Sequence, residues 1–236
     1  DGMPPPKRDV VSTRSTRGAT RGGGVTRGGG GYRGSNVSVG SPDSAPDSGP
    51  VSMQSYNSQV GPCCASGSLV WVKDTMDDVL KKPVEELVKG DQVYTVSTDG
   101  DHLYSEIECI VRTECPDKKA SLVQVRDLRV TPYHPIMKGS SEWVFPCTLG
   151  ETSVQECEAL YSFIVRNRKP MIVDGQVFAT WGHGLQGPVI GHEYFGTDRV
   201  IEDMKRFTTY ELGIVNLVPQ MIKRDPTSQL ICEICE

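Results

Sequence analysis

Short apolar runs alternate with turn-forming residues along most of the chain, and this pattern begins near residue 68. The runs are rich in Val and Ile, which suit the half-buried surface of a pleated sheet. After residue 62 the chain has 31 Val and Ile side chains against 12 Leu. Closely spaced short strands indicate a barrel or sandwich rather than alternating strands and helices. The predicted strands are 69–72, 93–96, 107–111, 122–125, 161–165, 171–173 and 176–179.

Turn and helix signals complete this pattern. Asp99-Gly100 and Asp174-Gly175 favour tight hairpins, because Gly accepts a positive φ at no steric cost. One helix is predicted over residues 197–207, with Thr197 as its N-cap, since the apolar positions there lie on one face. A further β segment is predicted over residues 213–222.

Residues 1–62, here called the leader, lack the alternating pattern. They contain 13 Gly, 10 Ser and 7 Pro, a composition that cannot build a core, so we predict a disordered linker. The segment 16–34 spaces Arg through Gly and resembles RNA-binding Arg/Gly segments. It has a single Tyr for stacking, which favours the linker. The rest of the chain carries 18 basic and 26 acidic residues, which makes nucleic-acid binding an unlikely function for it.

The distribution of apolar residues and cysteines indicates in which cellular compartment the protein is located. No apolar run approaches the roughly 18 residues of a membrane span, and no secretion signal opens the chain. All eight cysteines follow the leader, and their spacing does not resemble a secreted disulfide framework. We therefore expect a reducing, intracellular and cytoplasmic location.

Cys232 and Cys235 form a single CxxC without a second pair, so neither a metal nor a cofactor is predicted. Because the first residue is Asp1 and not Met, we expect further sequence upstream.

The junction between the leader and the first strand carries the candidate chemistry. Cys63 is placed to attack the carbonyl of Pro62, which would convert the peptide bond into a thioester. Such a step needs an acid for the departing nitrogen and donors for the oxyanion. His134 titrates near pH 6.5 and is a candidate acid, and Thr131, three residues earlier, is a candidate partner for the same nitrogen.

These residues resemble the recurring motifs of Hint domains, the fold that inteins share with Hedgehog autoprocessing domains. The motifs are Cys63 followed by Gly67, Ser68 and Val70; the segment 83–93; Thr131-x-x-His134; and the late segments 160–165 and 171–177. Further segments are similar to the Vint subgroup, which occurs downstream of von Willebrand type A domains. They are residues 143–146, 180–184, 192–197 and 224–225, so the resemblance covers roughly residues 63–225.

The resemblance implies an all-β, horseshoe-like Hint fold with a short α/β C-terminal extension. We accordingly divide the chain into the leader at 1–62, a Hint-type core at 63–182 and an extension at 183–236. The resemblance also implies a polarising role for His183 in the late motif.

The implied activity is single-turnover cleavage of the bond between Pro62 and Cys63. The substrate is the protein's own upstream polypeptide, and water or another nucleophile resolves the thioester without a cofactor. Residues 179–184 contain no Asn at the position where inteins end in His-Asn, so splicing is not expected. Cys64 is the alternative nucleophile, and Cys63 is favoured because its spacing to Val70 matches the Hint pattern. The alternative function is a silent Hint-fold interaction module, since Pro62 hinders attack on its carbonyl.

Overall fold

The structure of the chain is a computed structural model that describes residue 61 and residues 63–76, 78–97 and 102–236. The rest of the leader, Pro62 and the Asp99-Gly100 turn lie outside the described residues. The strands are β1 Cys64–Ala65, β2 Leu69–Lys73, β3 Val79–Pro83, β4 Gln92–Val96, β5 His102–Glu114, β6 Lys119–Val125, β7 Leu128–Val130, β8 Ile136–Lys138, β9 Glu142–Val144, β10 Thr152–Glu156, β11 Ala159–Val165, β12 Met171–Val173, β13 Gln176–Phe178, β14 Ile214–Leu217, β15 Ile222–Arg224 and β16 Ile231–Ile234. The α-helix is α1 Asp198–Met204, and short 3-10 turns lie at Val84–Glu86, Pro116–Lys118, Pro146–Thr148, Tyr210–Leu212 and Pro219–Met221.

Fourteen of these strands form one connected sheet. Its order is β10, β6, β7, β1, β11, β5, β4, β2, β12, β13, β8 and β9, with β3 beside β2 and β14 beside β5. The order has two ends, so the sheet is open, whereas strand spacing alone indicated a barrel or sandwich. The all-β fold class with a short helical C-terminal part is confirmed, and each of the seven predicted strands is present.

The long strand β5 explains why the sheet stays connected. Its first five residues pair with β4, from Gln92 opposite Glu106 to Val96 opposite His102. Its remaining residues pair with β11 on the other side. One strand therefore belongs to both halves of the sheet.

The turn at Asp174-Gly175 has the predicted hairpin geometry. Asp174 has a φ of 47° and Gly175 a φ of 75°, and the turn joins the antiparallel pair β12 and β13. Asp174 Oδ1 also accepts a hydrogen bond of 2.9 Å from the Leu69 N–H, which fixes this turn beside the first residue of β2.

The helix α1 is shorter than predicted, but it buries the predicted face. Val200, Ile201 and Met204 are buried. Thr197 occupies the N-cap position with an extended backbone, yet its hydroxyl donates back to the carbonyls of Glu193 and Tyr194, at 3.0 and 3.1 Å. It therefore ties the helix to the preceding turn instead of capping the first helical N–H groups.

The predicted β segment at 213–222 is the strand β14 followed by a 3-10 turn that starts at Pro219. This break has a local cause, because Pro219 has no N–H to donate to a sheet. β14 runs parallel to β5, with Ile214 opposite Ile110 and Leu217 opposite Thr113.

Two clusters of buried side chains stabilise the fold. The first lies within the sheet and includes Phe163, Met171 and Phe178. The second joins the sheet to the C-terminal residues and includes Trp181 and Phe195. In the part of the chain that the structure describes, no helix has the length and apolar character needed to cross a membrane.

Candidate active site

The position of Cys63 follows from the pairing of the short strand β1. Cys64 in β1 pairs with Val130 of β7 on one side and with Tyr161 of β11 on the other. The residues next along these strands, Thr131 and Ser162, therefore lie on either side of Cys63. Two segments that are 68 and 99 residues away in sequence thus meet at the cysteine.

Cys63 and Thr131 are joined by two hydrogen bonds. The backbone N–H of Cys63 donates to Thr131 Oγ1 at 3.0 Å, and the backbone N–H of Thr131 donates to the Cys63 carbonyl at 2.9 Å. The Cys63 nitrogen belongs to the peptide bond that the sequence marks for cleavage. The hydroxyl of Thr131 therefore contacts the atom that would leave.

His134 lies in the turn that links β7 to β8. Its backbone N–H donates to the Thr131 carbonyl at 3.1 Å, so the Thr-x-x-His motif closes one turn. The His134 ring is fully buried and stacks on Phe178, with a centroid separation of 3.5 Å and an interplanar angle of 18°. The stacking holds the ring in one orientation close to the Thr131 turn.

Ser162 is a site residue that the sequence interpretation missed. Its hydroxyl is buried and donates to the Cys63 sulfur at 3.2 Å. Burial raises the pKa of the Cys63 thiol to about 12, and the hydrogen bond from Ser162 acts in the opposite direction. Ser162 is the one small polar side chain in β11, whose other residues are Ala, Leu, Tyr, Phe, Ile and Val. This polar residue in an apolar run was the available signal.

Cys64, the alternative nucleophile, occupies a different environment. Its side chain is fully buried within the first apolar cluster, and its thiol donates to the Tyr161 carbonyl at 3.6 Å. Burial again raises its pKa. Both thiols are buried, but only the Cys63 thiol is matched with a side-chain donor, Ser162, among the described hydrogen bonds.

His183 lies in the extension, and its described contacts are with other residues of the extension. Among the described contacts, its Nδ1 accepts from the Leu185 N–H at 2.9 Å, and its ring lies against Gly196. His192 is a neighbour whose Nδ1 accepts from the N–H groups of Tyr194 and Phe195, at 3.0 and 3.1 Å. Burial lowers the pKa of each imidazole to about 4, and His183 adds to the lowering at His192.

Among the predicted residues, the structure therefore joins Cys63 to Thr131 and places His134 in the turn after Thr131, and it adds Ser162 on the other side of Cys63. Among the described residues, no group of three or more His, Cys, Asp or Glu side chains is arranged to hold a metal ion. The two C-terminal cysteines are free thiols, and Cys232 donates to the Lys223 carbonyl at 3.6 Å.

A family model named Vint, described as a Hint domain, matches residues 62–233. The match spans well over half of the chain, and the chain therefore belongs to the Vint family of Hint domains. The resemblance predicted from the sequence motifs is confirmed.

A solved structure also resembles the chain. The solution structure of a bacterial intein-like domain from Clostridium thermocellum aligns with 50% of this chain and 97% of its own length, at 13% sequence identity and a TM-score of 0.40. A comparison with curated proteins finds no match.

Proposed function

We propose that the protein cleaves its own chain once, at the bond between Pro62 and Cys63. The observation that carries the proposal is the hydrogen bond between the Cys63 N–H and Thr131 Oγ1. It puts a hydroxyl against the nitrogen of the bond to be broken. The substrate is then the upstream polypeptide, and the activity is a single-turnover reaction.

The first step is an N-to-S acyl shift. The Cys63 sulfur bonds to the Pro62 carbonyl carbon, the carbon–nitrogen bond breaks, and the thiol proton ends on the Cys63 nitrogen. We assign this proton transfer to His134 with help from Thr131. Since a pKa of about 12 keeps the Cys63 thiol protonated at neutral pH, the proton must leave the sulfur as the attack proceeds.

The second step resolves the thioester. A water oxygen attacks the carbonyl carbon and the carbon–sulfur bond breaks. The products are a carboxylate on Pro62 and a chain that begins with Cys63. Another nucleophile in place of water gives acyl transfer. Splicing is not part of the proposal, because residues 179–184 lack the Asn that would cyclise.

Cys63 is preferred over Cys64 because of the surroundings of the two sulfurs. The Ser162 hydroxyl donates to the Cys63 sulfur, and this hydrogen bond stabilises a developing thiolate. The Cys64 sulfur instead lies in the apolar cluster, with its thiol aimed at the Tyr161 carbonyl oxygen. A thiolate there would face a carbonyl dipole of unfavourable sign.

The test is to fuse a folded partner ahead of Asp1 and to follow intact mass over time. We expect a fragment that begins at Cys63, released faster in hydroxylamine because that reagent attacks thioesters. Cys63→Ala should abolish release. Cys109→Ala should leave it unchanged, since Cys109 is also buried with a raised pKa but lies in the second apolar cluster.

A wild-type chain that stays intact in hydroxylamine and dithiothreitol would contradict the proposal. The Hint fold would then serve as an interaction module without chemistry. Cleavage at the same bond in Cys63→Ala would equally exclude the mechanism.

A further inference from the structure

Cys115 and Cys157 lie together in a small buried cluster. Cys115 directly follows β5, and Cys157 lies between β10 and β11. Their side chains are 9% and 3% exposed, and both pack with Ala65 and Leu122. Two cysteines that are far apart in sequence therefore share one apolar site.

The backbone fixes this pair at the base of one segment. The N–H of Cys115 donates to the Glu158 carbonyl at 3.1 Å, and the N–H of Cys157 donates to the Lys118 carbonyl at 2.9 Å. The pairing of β6 with β10 begins next to these bonds. The segment between the cysteines, residues 116–156, contains the Thr-x-x-His turn, so the pair lies where that segment joins the rest of the sheet.

The two thiols are in contact with each other. The Cys157 thiol donates to the Ala159 carbonyl at 3.2 Å, and a side-chain hydrogen bond joins Cys115 to Cys157. Because the single thiol proton of Cys157 points to Ala159, the Cys157 sulfur accepts the proton of Cys115. The sulfurs of a disulfide lie about 2.0 Å apart, and side chains already in contact reach that distance with little backbone movement.

Cys157 also borders a surface cleft. The cleft has a volume of about 570 Å³, and its lining includes Ser66, Lys118, Arg129 and Cys157. A reagent in this cleft therefore has one thiol within reach, and Cys115 is in contact with that thiol. Burial, and then the contact with Cys157, raise the pKa of the Cys115 thiol to about 12, so Cys115 keeps its proton until its sulfur reacts.

We infer that Cys115 and Cys157 are a redox-active dithiol, which a small-molecule disulfide of the glutathione class converts reversibly into a disulfide. The Cys157 sulfur loses its proton and bonds to one sulfur of the reagent, whose S–S bond breaks to release one thiol. The Cys115 sulfur then bonds to the Cys157 sulfur, and the second reagent thiol leaves with the Cys115 proton. Two protein thiols are oxidised, and one reagent disulfide is reduced to two thiols.

The disulfide closes the segment 116–156 covalently at its base. A cross-link across a long loop restricts the unfolded chain strongly, which stabilises the folded one. We expect the thermal midpoint of the oxidised chain to exceed that of the reduced chain by roughly 5 to 15 °C. This modification does not depend on the proposed cleavage.

The test uses the full chain with Cys63→Ala. This substitution prevents cleavage through Cys63 and removes a thiol that interacts electrostatically with both cysteines of the pair. After equilibration with an excess of oxidised over reduced glutathione, peptide mapping should recover Cys115 and Cys157 in one disulfide-linked pair of peptides. Dithiothreitol should abolish the linkage and return the thermal midpoint to its reduced value. Cys115 and Cys157 peptides that remain free thiols in the excess of oxidised glutathione would overturn the inference.

Two further substitutions in the same chain separate this pair from the other thiols. Cys157→Ala should abolish the rise in thermal midpoint on oxidation. Cys109→Ala should keep both the linkage and the rise, because Cys109 is buried in the second apolar cluster. An equal rise with and without Cys157 would assign it to other cysteines and overturn the stabilising role. If Cys157→Ala fails to fold, the peptide mapping still decides, and neither result bears on whether the wild-type chain cleaves.

Discussion

The Thr131 hydroxyl accepts a 3.0 Å hydrogen bond from the Cys63 N–H, and the Thr131 N–H donates a 2.9 Å hydrogen bond to the Cys63 carbonyl. Thr131 thus holds Cys63 through both its backbone N–H and its backbone carbonyl. The Thr131 side chain, at the end of β7, is hydrogen-bonded to the nitrogen of the proposed scissile bond, just before β1. A substitution of Thr131 is therefore the most direct structural test of the cleavage proposal.

Replacing Thr131 should affect both rate and stability. Thr131→Val is nearly isosteric but removes the hydroxyl, which leaves the buried Cys63 N–H without its acceptor. We expect release to slow by on the order of a hundredfold and the free energy of unfolding to fall by about 1 to 3 kcal/mol. Thr131→Ser keeps the hydroxyl and should retain most of the release rate and most of the free energy of unfolding. Intact mass measures the release rate and urea unfolding measures the stability. Equal release rates for the Val and Ser variants would contradict the assigned role.

Ser162→Ala should slow release by weakening the hydrogen bond to sulfur. Without the hydroxyl, the pKa of Cys63 rises further, since the side-chain hydrogen bond that opposes the effect of burial is lost. We expect roughly a tenfold slower release at neutral pH and a rate profile displaced to higher pH. Ser153→Ala, an exposed serine on β10, is the control. A rate profile unchanged by Ser162→Ala would exclude this effect on the thiol.

Cys64→Ala separates the two adjacent thiols. The Cys64 side chain packs in the first apolar cluster, so its truncation should cost about 1 kcal/mol of stability through a small cavity. The release rate should stay at the wild-type value. Loss of release in Cys64→Ala, with the fold retained by circular dichroism, would move the nucleophile to position 64.

Mild acid should destabilise the fold through His183 and His192. Both have a pKa of about 4 in the folded state, against about 6.5 when unfolded. Protonation therefore favours the unfolded chain, and their contribution to stability is complete above pH 6.5 and is lost as pH falls towards 4. The urea midpoint should drop between pH 7 and pH 5.

The matched variant for this acid effect is the double change His183→Asn and His192→Asn. Asn offers an acceptor near the position of Nδ1, so it preserves the bonds from Leu185 and Tyr194 without titrating. Its urea midpoint should vary less with pH. A dependence as steep as that of the wild type would assign the acid effect to other groups.

The sequence predicted the strands well because Val- and Ile-rich runs carry their own signal. It did not predict the two-residue strand β1, which is too short for an alternating pattern, or β7, in which Arg129 separates the apolar Leu128 and Val130. It also did not predict the parallel pairing of β14 with β5, because partner choice depends on contacts far apart in sequence.

One part of the candidate site is local in sequence and could be read from spacing. Thr131 and His134 are three residues apart, and the turn that joins them is local, so a motif can encode it. Ser162 was not predicted, because it reaches Cys63 only through the tertiary pairing of β11 with β1. The catalytic roles of Cys63, Thr131, His134 and His183 stay predictions, and Pro62 lies outside the described residues.

The pairing of β14 with β5 has a consequence for when the reaction becomes available. On one side of β5, β4 pairs with the residues up to Glu106 and β14 pairs with Ile110 to Thr113. β11 pairs with the opposite side of β5. The strand that flanks Ser162 is therefore completed by residues near position 217. During synthesis this support exists only after residues near position 217 have left the ribosome, so the proposed mechanism predicts that release of the upstream polypeptide begins after that point and not before it.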